Sequence, residues 1–179
     1  MTWFCMFALK NRPRLIGGVV GVVCLLLIGI YIKTSGAKYN FNLTLPELSS
    51  SEPVSIEQWS GQIVYMDVWA TWCKPCIEIL PQIQILADLY KDKNIQFVGI
   101  NQDSNPVTAA AFLESHNIVF QQLYDPLGEV LVRLNLKGIP ASVLLDESGH
   151  IHYLNEGASA DSMSELQLEI DKLLSASNQ

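Results

Sequence analysis

Charged residues are scarce in this chain, and their low number excludes one broad class of protein. Only 16% of the 179 residues are charged, whereas 49% are apolar. A chain of this composition can bury a core, so a disordered tail protein is excluded. The length excludes two large domains, because an ordinary domain takes about 100 to 150 residues. No internal repeat or low-complexity tract is present, and we expect one domain with a short appendage.

Acidic residues are absent before Glu47, which makes the charge distribution uneven. From Lys33 onward the chain carries eight basic and 18 acidic side chains, a formal charge of −10. A domain with this excess of negative charge repels phosphate backbones. The sequence therefore predicts that nucleic acid is not a partner.

One segment near the amino terminus has no charged side chain at all. Residues 15–32 read LIGGVVGVVCLLLIGIYI, and a helix of that length spans roughly 27 Å, close to the thickness of a bilayer hydrocarbon core. No polar face occurs at any helical period, which disfavours a buried core helix. The sequence predicts a single transmembrane anchor at 15–32, a polar linker at 33–40 and a folded domain at 41–179.

Basic residues on the two sides of the anchor predict its orientation. Lys10, Arg12 and Arg14 precede the apolar run, whereas Lys33 and Lys38 follow it. The positive-inside rule then places residues 1–14 in the cytoplasm. We expect a single-pass protein of the bacterial inner membrane, with its domain on the periplasmic or extracytoplasmic side.

A cleaved signal peptide is the alternative to a permanent anchor. Residues 35–37 are Ser-Gly-Ala, which are small enough for a cleavage site. The apolar run is longer than the ~7 to 15 residues of a usual signal core, so an uncleaved anchor is favoured. A lipoprotein is disfavoured, because Cys24 follows two valines and not small residues. In every case the domain is exported.

Apolar periodicity in the domain alternates between strand and helix patterns. It predicts helices over 74–90, with a kink at Pro81, over 105–116, over 129–134 and from Ser162 onward. It predicts strands over 41–45, 62–68, 95–100 and 118–123, and a hairpin of 142–145 with 151–154. Strands that alternate with helices and end in a hairpin and a helix indicate an α/β sandwich with a mixed sheet.

The strongest chemical motif is Cys73-Lys74-Pro75-Cys76, at the junction of a predicted buried strand and a helix. A thiol at a helix amino terminus faces unpaired backbone N–H groups and the positive end of the helix dipole, which favour the thiolate. A spacing of two residues allows a small disulfide in the first helical turn. The motif therefore predicts a pair that cycles between dithiol and disulfide.

Two structural explanations of the pair are weaker. A permanent structural disulfide would add little stability here, because closing so short a loop removes little entropy from the unfolded state. A structural zinc site needs a second pair of ligands at suitable spacing, and the three histidines, His116, His150 and His152, are scattered. We therefore predict no metal.

Asp67 and the segment Gly138-Ile139-Pro140 converge on the cysteine pair. Asp67 lies inside an apolar strand, where burial raises the pKa of a carboxyl and lets it exchange a proton near neutral pH. A surface aspartate at a strand end is the simpler alternative. A proline before a strand is compatible with a cis peptide, which leaves nearby backbone free to pair with an extended substrate segment.

The stretch Trp69-Ala70-Thr71-Trp72 before Cys73, together with Pro81 and Gly138-Ile139-Pro140, resembles the thioredoxin superfamily. The likeness is closer to its membrane-anchored TlpA/ResA/DsbE-type thiol:disulfide oxidoreductases. It implies a thioredoxin-like three-layer α/β sandwich with a central mixed sheet, preceded by one transmembrane helix. It implies an enzyme without a cofactor.

The resemblance also assigns roles to individual residues. Cys73 corresponds to the attacking thiol and Cys76 to the resolving thiol of a redox disulfide, and Asp67 to the buried acid. Trp72, Ile139 and Pro140 correspond to the substrate-binding surface, with Pro140 as the cis-proline, while Lys74 and Pro75 are the dipeptide that tunes the potential.

Two positions depart from the family pattern. Some members carry glutamate three residues after the second cysteine, where this chain has Ile79, and threonine is common at the position of Ala141. These departures leave the reduction potential of the cysteine pair and the choice of partner open.

The function expected from these features is disulfide exchange with cysteines of exported proteins. The resemblance implies a reductant, for example towards apocytochrome c in cytochrome c maturation, that a membrane thiol donor reduces again. The alternative is a membrane-tethered copper chaperone of thioredoxin fold, although such proteins place three residues between their cysteines and add a distant histidine. A peroxiredoxin-type peroxidase is weaker again, because its Thr-x-x-Cys context is missing.

Overall fold

The structure is a computed structural model that describes residues 41–157, 159 and 162–177. The predicted cytoplasmic segment 1–14, the anchor 15–32 and the linker 33–40 lie outside the described residues. Within the described part of the chain, no helix has the length and apolar character needed to cross a bilayer.

The described residues of the domain form seven strands, four α-helices and one 3-10 helix (Ile56–Trp59). The strands are β1 (Thr44–Pro46), β2 (Pro53–Ser55), β3 (Ile63–Trp69), β4 (Ile95–Asn101), β5 (Gln121–Tyr124), β6 (Ala141–Leu145) and β7 (Ile151–Glu156). The helices are α1 (Lys74–Leu89), α2 (Pro106–Ser115), α3 (Glu129–Leu134) and α4 (Ser162–Ala176). Helix α1 continues through Pro81. The predicted β–α alternation is confirmed, including the β6–β7 hairpin.

The central sheet has five strands in the order β5-β4-β3-β6-β7. Strands β3, β4 and β5 are parallel to one another, whereas β6 is antiparallel to both β3 and β7. The sheet is therefore mixed, as predicted. Every residue of β3 is buried, which explains why this strand is a nearly continuous apolar run.

Each face of the sheet packs against a separate apolar core. Alternate residues of β3 point to opposite faces, so Ile63, Tyr65 and Trp69 contact the core formed by α1, α2 and α4. Val64, Met66 and Val68 contact the second core, formed by α3 and the segment before β3. The result is the predicted three-layer sandwich.

The amino-terminal strand differs from the prediction. The alternation over 41–45 predicts an edge strand, but β1 covers only Thr44–Pro46 and pairs with β2 in a separate two-stranded sheet. Phe41 and Leu43 instead fill the second core. The short β2 was not predicted, because three residues are too few for a visible alternation.

The fifth strand begins later than the predicted 118–123. Asn117 has a positive φ of 54° after α2, and the N–H of Ile118 donates to the carbonyl of Leu113. This is the hydrogen bond of a Schellman helix end. Ile118 therefore belongs to the turn that closes α2, and pairing with β4 begins at Gln121.

Candidate active site

The cysteine pair lies where β3 ends and α1 begins. Cys73 is the N-cap residue of α1 and has extended backbone angles, with φ −89° and ψ 96°. Pro75 is the second residue of the helix, where a missing N–H costs no helical hydrogen bond. Helix α1 therefore begins immediately after Cys73, the first cysteine of the pair.

Cys73 and Cys76 form a disulfide with a Cα–Cα distance of 5.3 Å. The backbone N–H of Cys76 donates to Sγ of Cys73 over 3.3 Å. Cys73 is 6% exposed and Cys76 is completely buried. Of the two sulfurs, the one at Cys73 is the more accessible to another molecule, and it also receives a hydrogen bond that would stabilise its thiolate.

The loop before Cys73 is held by a buried carboxylate. Asp103 accepts hydrogen bonds from the backbone N–H of Thr71, at 3.1 Å, and from the Thr71 hydroxyl, at 2.8 Å. Asn101 donates a further bond of 2.8 Å to the same carboxylate. Asp103 follows β4, so the neighbouring parallel strand fixes the approach to the cysteines.

The predicted substrate-binding residues lie at this edge of the sheet with different exposures. Trp72 is 67% exposed, Ile139 is half-buried and Pro140 is buried. The Ile139–Pro140 peptide is cis, as the resemblance implies. Because Ala141 pairs with Val68, the start of β6 lies beside the end of β3 that leads to Cys73. Their role in binding a substrate stays a prediction.

The Lys74 side chain of the active-site dipeptide is exposed. Its ammonium lies 3.8 Å from a carboxylate oxygen of Glu78, one turn along α1, and both side chains are mostly in solvent. An exposed pair of this kind contributes little to stability. The Lys74 ammonium is therefore accessible from solvent.

Asp67 is completely buried on the sheet face that packs against α1, which excludes the surface alternative. Its Oδ1 accepts hydrogen bonds from the hydroxyls of Tyr65, at 3.3 Å, and Ser142, at 3.4 Å. Burial raises the pKa of Asp67 to about 7, although both hydroxyls oppose the shift. The carboxyl can therefore take up or release a proton near neutral pH, as predicted.

Tyr65 and Ser142 are site residues that the sequence analysis missed. Ser142 pairs directly with Asp67 across β3 and β6, and Tyr65 lies two residues before Asp67 on the same face. The two-residue spacing of Tyr65 and Asp67 in a predicted strand places both side chains on the same face, and this could have been read from the sequence. The position of Ser142 could be found only from the strand register.

Gln122 and Gly99 hold the indole of Trp69 and were also missed. The Trp69 Nε1 donates to Oε1 of Gln122 over 3.0 Å. The Gln122 side chain crosses Gly99, where a Cβ would lie only 2.0 Å from Oε1. Gly99 is therefore required for the close approach of this amide.

Potential metal ligands do not cluster in the described ranges. No group of three or more histidine, cysteine, aspartate or glutamate side chains in 41–157, 159 and 162–177 is placed to hold a metal ion. His152 contacts Glu169, and His116 stacks on Phe112.

Sequence comparison relates the chain to known proteins. Residues 35–169 match the Redoxin family. The chain belongs to the Redoxin family. Among Redoxin relatives, the thioredoxin-like protein YneN of Bacillus subtilis is 30% identical over 125 residues, which are 68% of this chain and 72% of YneN. The thiol-disulfide oxidoreductase ResA of Bacillus thuringiensis subsp. konkukian is 24% identical over 110 residues.

The ResA match covers 62% of this chain and 63% of ResA, so the chain spans less than two thirds of that relative. Among solved structures, a candidate thiol:disulfide interchange protein DsbE from Chlorobium tepidum superposes with a TM-score of 0.70 at 28% identity. The superposition covers 77% of this chain and 96% of the DsbE chain. This Redoxin protein therefore has a thioredoxin-like α/β fold with a mixed central sheet.

Proposed function

We propose that this Redoxin protein is a thiol:disulfide oxidoreductase that exchanges its Cys73–Cys76 disulfide with cysteines of other proteins. The observation that carries the proposal is the arrangement of the pair. A nearly buried disulfide begins α1, its more exposed sulfur accepts the Cys76 N–H, and the other sulfur is fully enclosed. The names of the ResA and DsbE relatives support the same chemistry.

In the reducing direction, the reaction has two thiolate attacks. The Cys73 thiolate attacks a substrate disulfide, forms a mixed disulfide and releases one substrate thiolate, which takes up a proton. The Cys76 thiolate then attacks Sγ of Cys73, so that the Cys73–Cys76 bond forms and the second substrate thiolate leaves. The substrate gains two electrons, and the cysteine pair loses two.

Asp67 supplies the proton acceptor in the second step. Cys76 is buried, so its proton cannot pass directly to bulk water. The Asp67 carboxyl lies on the sheet face that packs against α1, and its pKa of about 7 suits uptake of a thiol proton near neutral pH. It later passes this proton on, for example to the departing substrate thiolate.

We also propose where the protein acts and on what. A single-pass anchor at 15–32 holds the domain on the extracytoplasmic side of the bacterial inner membrane, on the basis of the flanking basic residues. The family resemblance supports a reductant of exported proteins, apocytochrome c among them, that a membrane thiol donor reduces again. Cysteine accessibility mapping of the full chain in membranes tests the orientation, and labelling of the domain from the cytoplasmic side would contradict it.

Reduction of insulin disulfides by the full chain in detergent, with dithiothreitol as electron source, tests the proposed activity. Replacement of Cys73 by Ser is expected to abolish the activity. Replacement of Cys5 and Cys24 by Ser is the matched control, because both lie outside the predicted domain, and it is expected to leave the rate unchanged. Full activity of Cys73→Ser would contradict the proposal.

A Cu(I) competition titration separates this function from the copper chaperone. An oxidoreductase is expected to need Cys73 and Cys76 for turnover and no histidine. Tight stoichiometric Cu(I) binding that requires both cysteines and one of His116, His150 or His152 would instead support the chaperone.

A further inference from the structure

A row of aligned positions runs across the full width of the sheet, on the face that packs against α1. Strand pairing places these residues side by side in the order Gln122, Gly99, Asp67, Ser142 and Asn155. Four of the five carry polar side chains, within a face that is otherwise an apolar core. A polar row in such a place needs hydrogen-bond partners. Ser142 donates to Asp67 within the row, and Gln122 accepts from Trp69 beside it.

The hydrogen bonds of Asp67 are asymmetric. Both the Tyr65 and the Ser142 hydroxyls donate to Oδ1, and their oxygens lie 3.1 Å from each other. Oδ2 is buried and has no hydrogen-bond partner in the described part of the chain. One carboxylate oxygen is therefore fixed by two hydroxyls, while the other remains able to bind a proton.

We propose that Tyr65 and Ser142 are positioning residues that hold the Asp67 carboxyl through Oδ1 and thereby set the pH at which it accepts the Cys76 proton. The inference rests on the proposed function and assigns roles to two residues outside the cysteine motif. Both residues act through Asp67, to which their hydroxyls donate.

Two opposing effects define the direction of their influence. Burial favours the neutral carboxyl, whereas a hydroxyl that donates to the carboxylate stabilises the charged form. Burial is the larger effect at Asp67, and the Tyr65 and Ser142 hydrogen bonds lower the pKa against it. Removal of either hydroxyl is therefore expected to raise the pKa of Asp67 further.

The Tyr65 hydroxyl keeps its proton at physiological pH and can therefore donate to Asp67. Burial, together with the nearby Asp67 charge, raises the pKa of the Tyr65 hydroxyl well above its ordinary value. The phenol therefore keeps its proton while Asp67 titrates. Its ring is held independently by Phe97, whose centroid lies 5.4 Å away, so loss of the hydroxyl leaves the ring packing in place.

Other titratable groups surround this cluster on each packed element. Helix α1 contributes Cys73 and Cys76, which can titrate only after their disulfide is reduced, and β7 contributes Tyr153, which acts on Tyr65. Burial, and then the charges of Glu165 and Glu169 on α4, raise the pKa of Tyr153. Strand β4 presents Gly99 opposite Asp67 and therefore no titratable side chain. Of the titratable side chains in the described part of the chain, Tyr65 is the one that shares a hydrogen bond with the Asp67 carboxyl.

Carboxyl ¹³C chemical shifts of the oxidised full chain in detergent micelles, with ¹³C-labelled aspartate, test the inference. The Asp67 resonance is assigned from its loss in Asp67→Asn. Tyr65→Phe and Ser142→Ala are each expected to move the Asp67 titration midpoint upward by about half to one pH unit, because a hydrogen bond to a charged group is worth roughly a pKa unit. Ser142→Thr keeps a hydroxyl and is expected to restore the wild-type midpoint.

Tyr153→Phe is the matched control for Tyr65→Phe. It removes a tyrosine hydroxyl from the same region of the domain, and that hydroxyl is buried without a hydrogen-bond partner among the residues described. The Asp67 midpoint is expected to stay unchanged. An unchanged midpoint in both Tyr65→Phe and Ser142→Ala, or an equal shift in Tyr153→Phe, would overturn the inference.

The rate of substrate release from the mixed disulfide gives a second readout. Its pH profile is expected to shift upward by the same amount in Tyr65→Phe and Ser142→Ala, and to show no further shift when either change is added to Asp67→Asn. A shift that persists in the Asp67→Asn background would contradict a role through Asp67. If the wild type exchanged no disulfide at all, the proposed function would fail, while the carboxyl titration would still decide the role of the two hydroxyls.

Discussion

The backbone N–H of Cys76 points at Sγ of Cys73, so the first turn of α1 provides a hydrogen-bond donor to the more exposed of the two sulfurs. The positive end of the helix dipole acts in the same direction. Together these effects favour a thiolate once the disulfide is reduced.

We therefore predict that Cys73 becomes reactive towards alkylation at a lower pH than an ordinary cysteine. In a chain with Cys5, Cys24 and Cys76 replaced by Ser, the rate of reaction with iodoacetamide is expected to reach half its maximum below pH ~8.5, the value of an ordinary cysteine. The matched control retains Cys76 in place of Cys73 and is expected to react more slowly, because Cys76 is completely buried. A midpoint for Cys73 at or above pH ~8.5 would show that the helix end does not stabilise the thiolate.

The buried carboxyl of Asp67 predicts a pH-dependent stability. Its pKa is about 7 in the folded protein against 3.8 for the ordinary side chain, so the folded state binds the proton more tightly. The contribution of Asp67 to stability is present below pH ~4 and is lost as pH rises to about 7.

Asp67→Asn is accordingly expected to raise the free energy of unfolding at pH 8, with an upper bound of about 4 kcal/mol from three pKa units. The difference from wild type narrows as pH falls towards 4, and denaturant unfolding at several pH values measures it. Asp88→Asn, on the exposed side of α1, is the control. A difference that does not change with pH would rule out proton linkage at Asp67.

Asp103 is predicted to be a structural requirement of the active-site loop. Asp103→Ala leaves the half-buried Thr71 N–H and the buried Asn101 amide without their acceptor. Each buried group that loses its partner costs about 1–3 kcal/mol, so urea unfolding is expected to show a loss of about 2 kcal/mol or more. A loss below about 0.5 kcal/mol would mean that water replaces the carboxylate.

Gly99→Ala is predicted to displace the Gln122 amide and break its hydrogen bond with Trp69. The expected loss of stability is about 0.5–1.5 kcal/mol, the net value of one hydrogen bond, with a change in tryptophan fluorescence. Gly138→Ala is the control, because nothing lies within 4 Å of its new Cβ. In a Gln122→Ala background the Gly99 effect is expected to disappear, and its persistence would refute this explanation.

The sheet and the redox pair could be predicted because their signals are local. Strand β3 is a continuous apolar run, α1 has a helical period on both sides of Pro81, and the Cys73 motif lies between them. Asp67 was identified from its apolar neighbours alone. A strand that is buried on both faces is apolar at consecutive positions, and this pattern is visible in a single sequence.

The hydroxyl pair around Asp67 and the support of Trp69 could not be predicted in this way. Ser142 reaches Asp67 because β6 pairs antiparallel with β3, and Gln122 reaches Trp69 because β5 lies beyond β4. These contacts depend on strand order and register, which join residues more than 50 positions apart. The short β1–β2 sheet was missed for a different reason, since strands of three residues have no readable period.

Trapping of a mixed disulfide in cells tests the central claim most directly. In a chain whose Cys5 and Cys24 are replaced by Ser, Cys76→Ser is expected to accumulate protein complexes that dissociate on treatment with a thiol reductant, because the resolving sulfur is missing. The same chain with Cys73 also replaced by Ser is expected to form none. Complexes that survive the loss of Cys73, or their complete absence from the Cys76→Ser strain, would contradict the account.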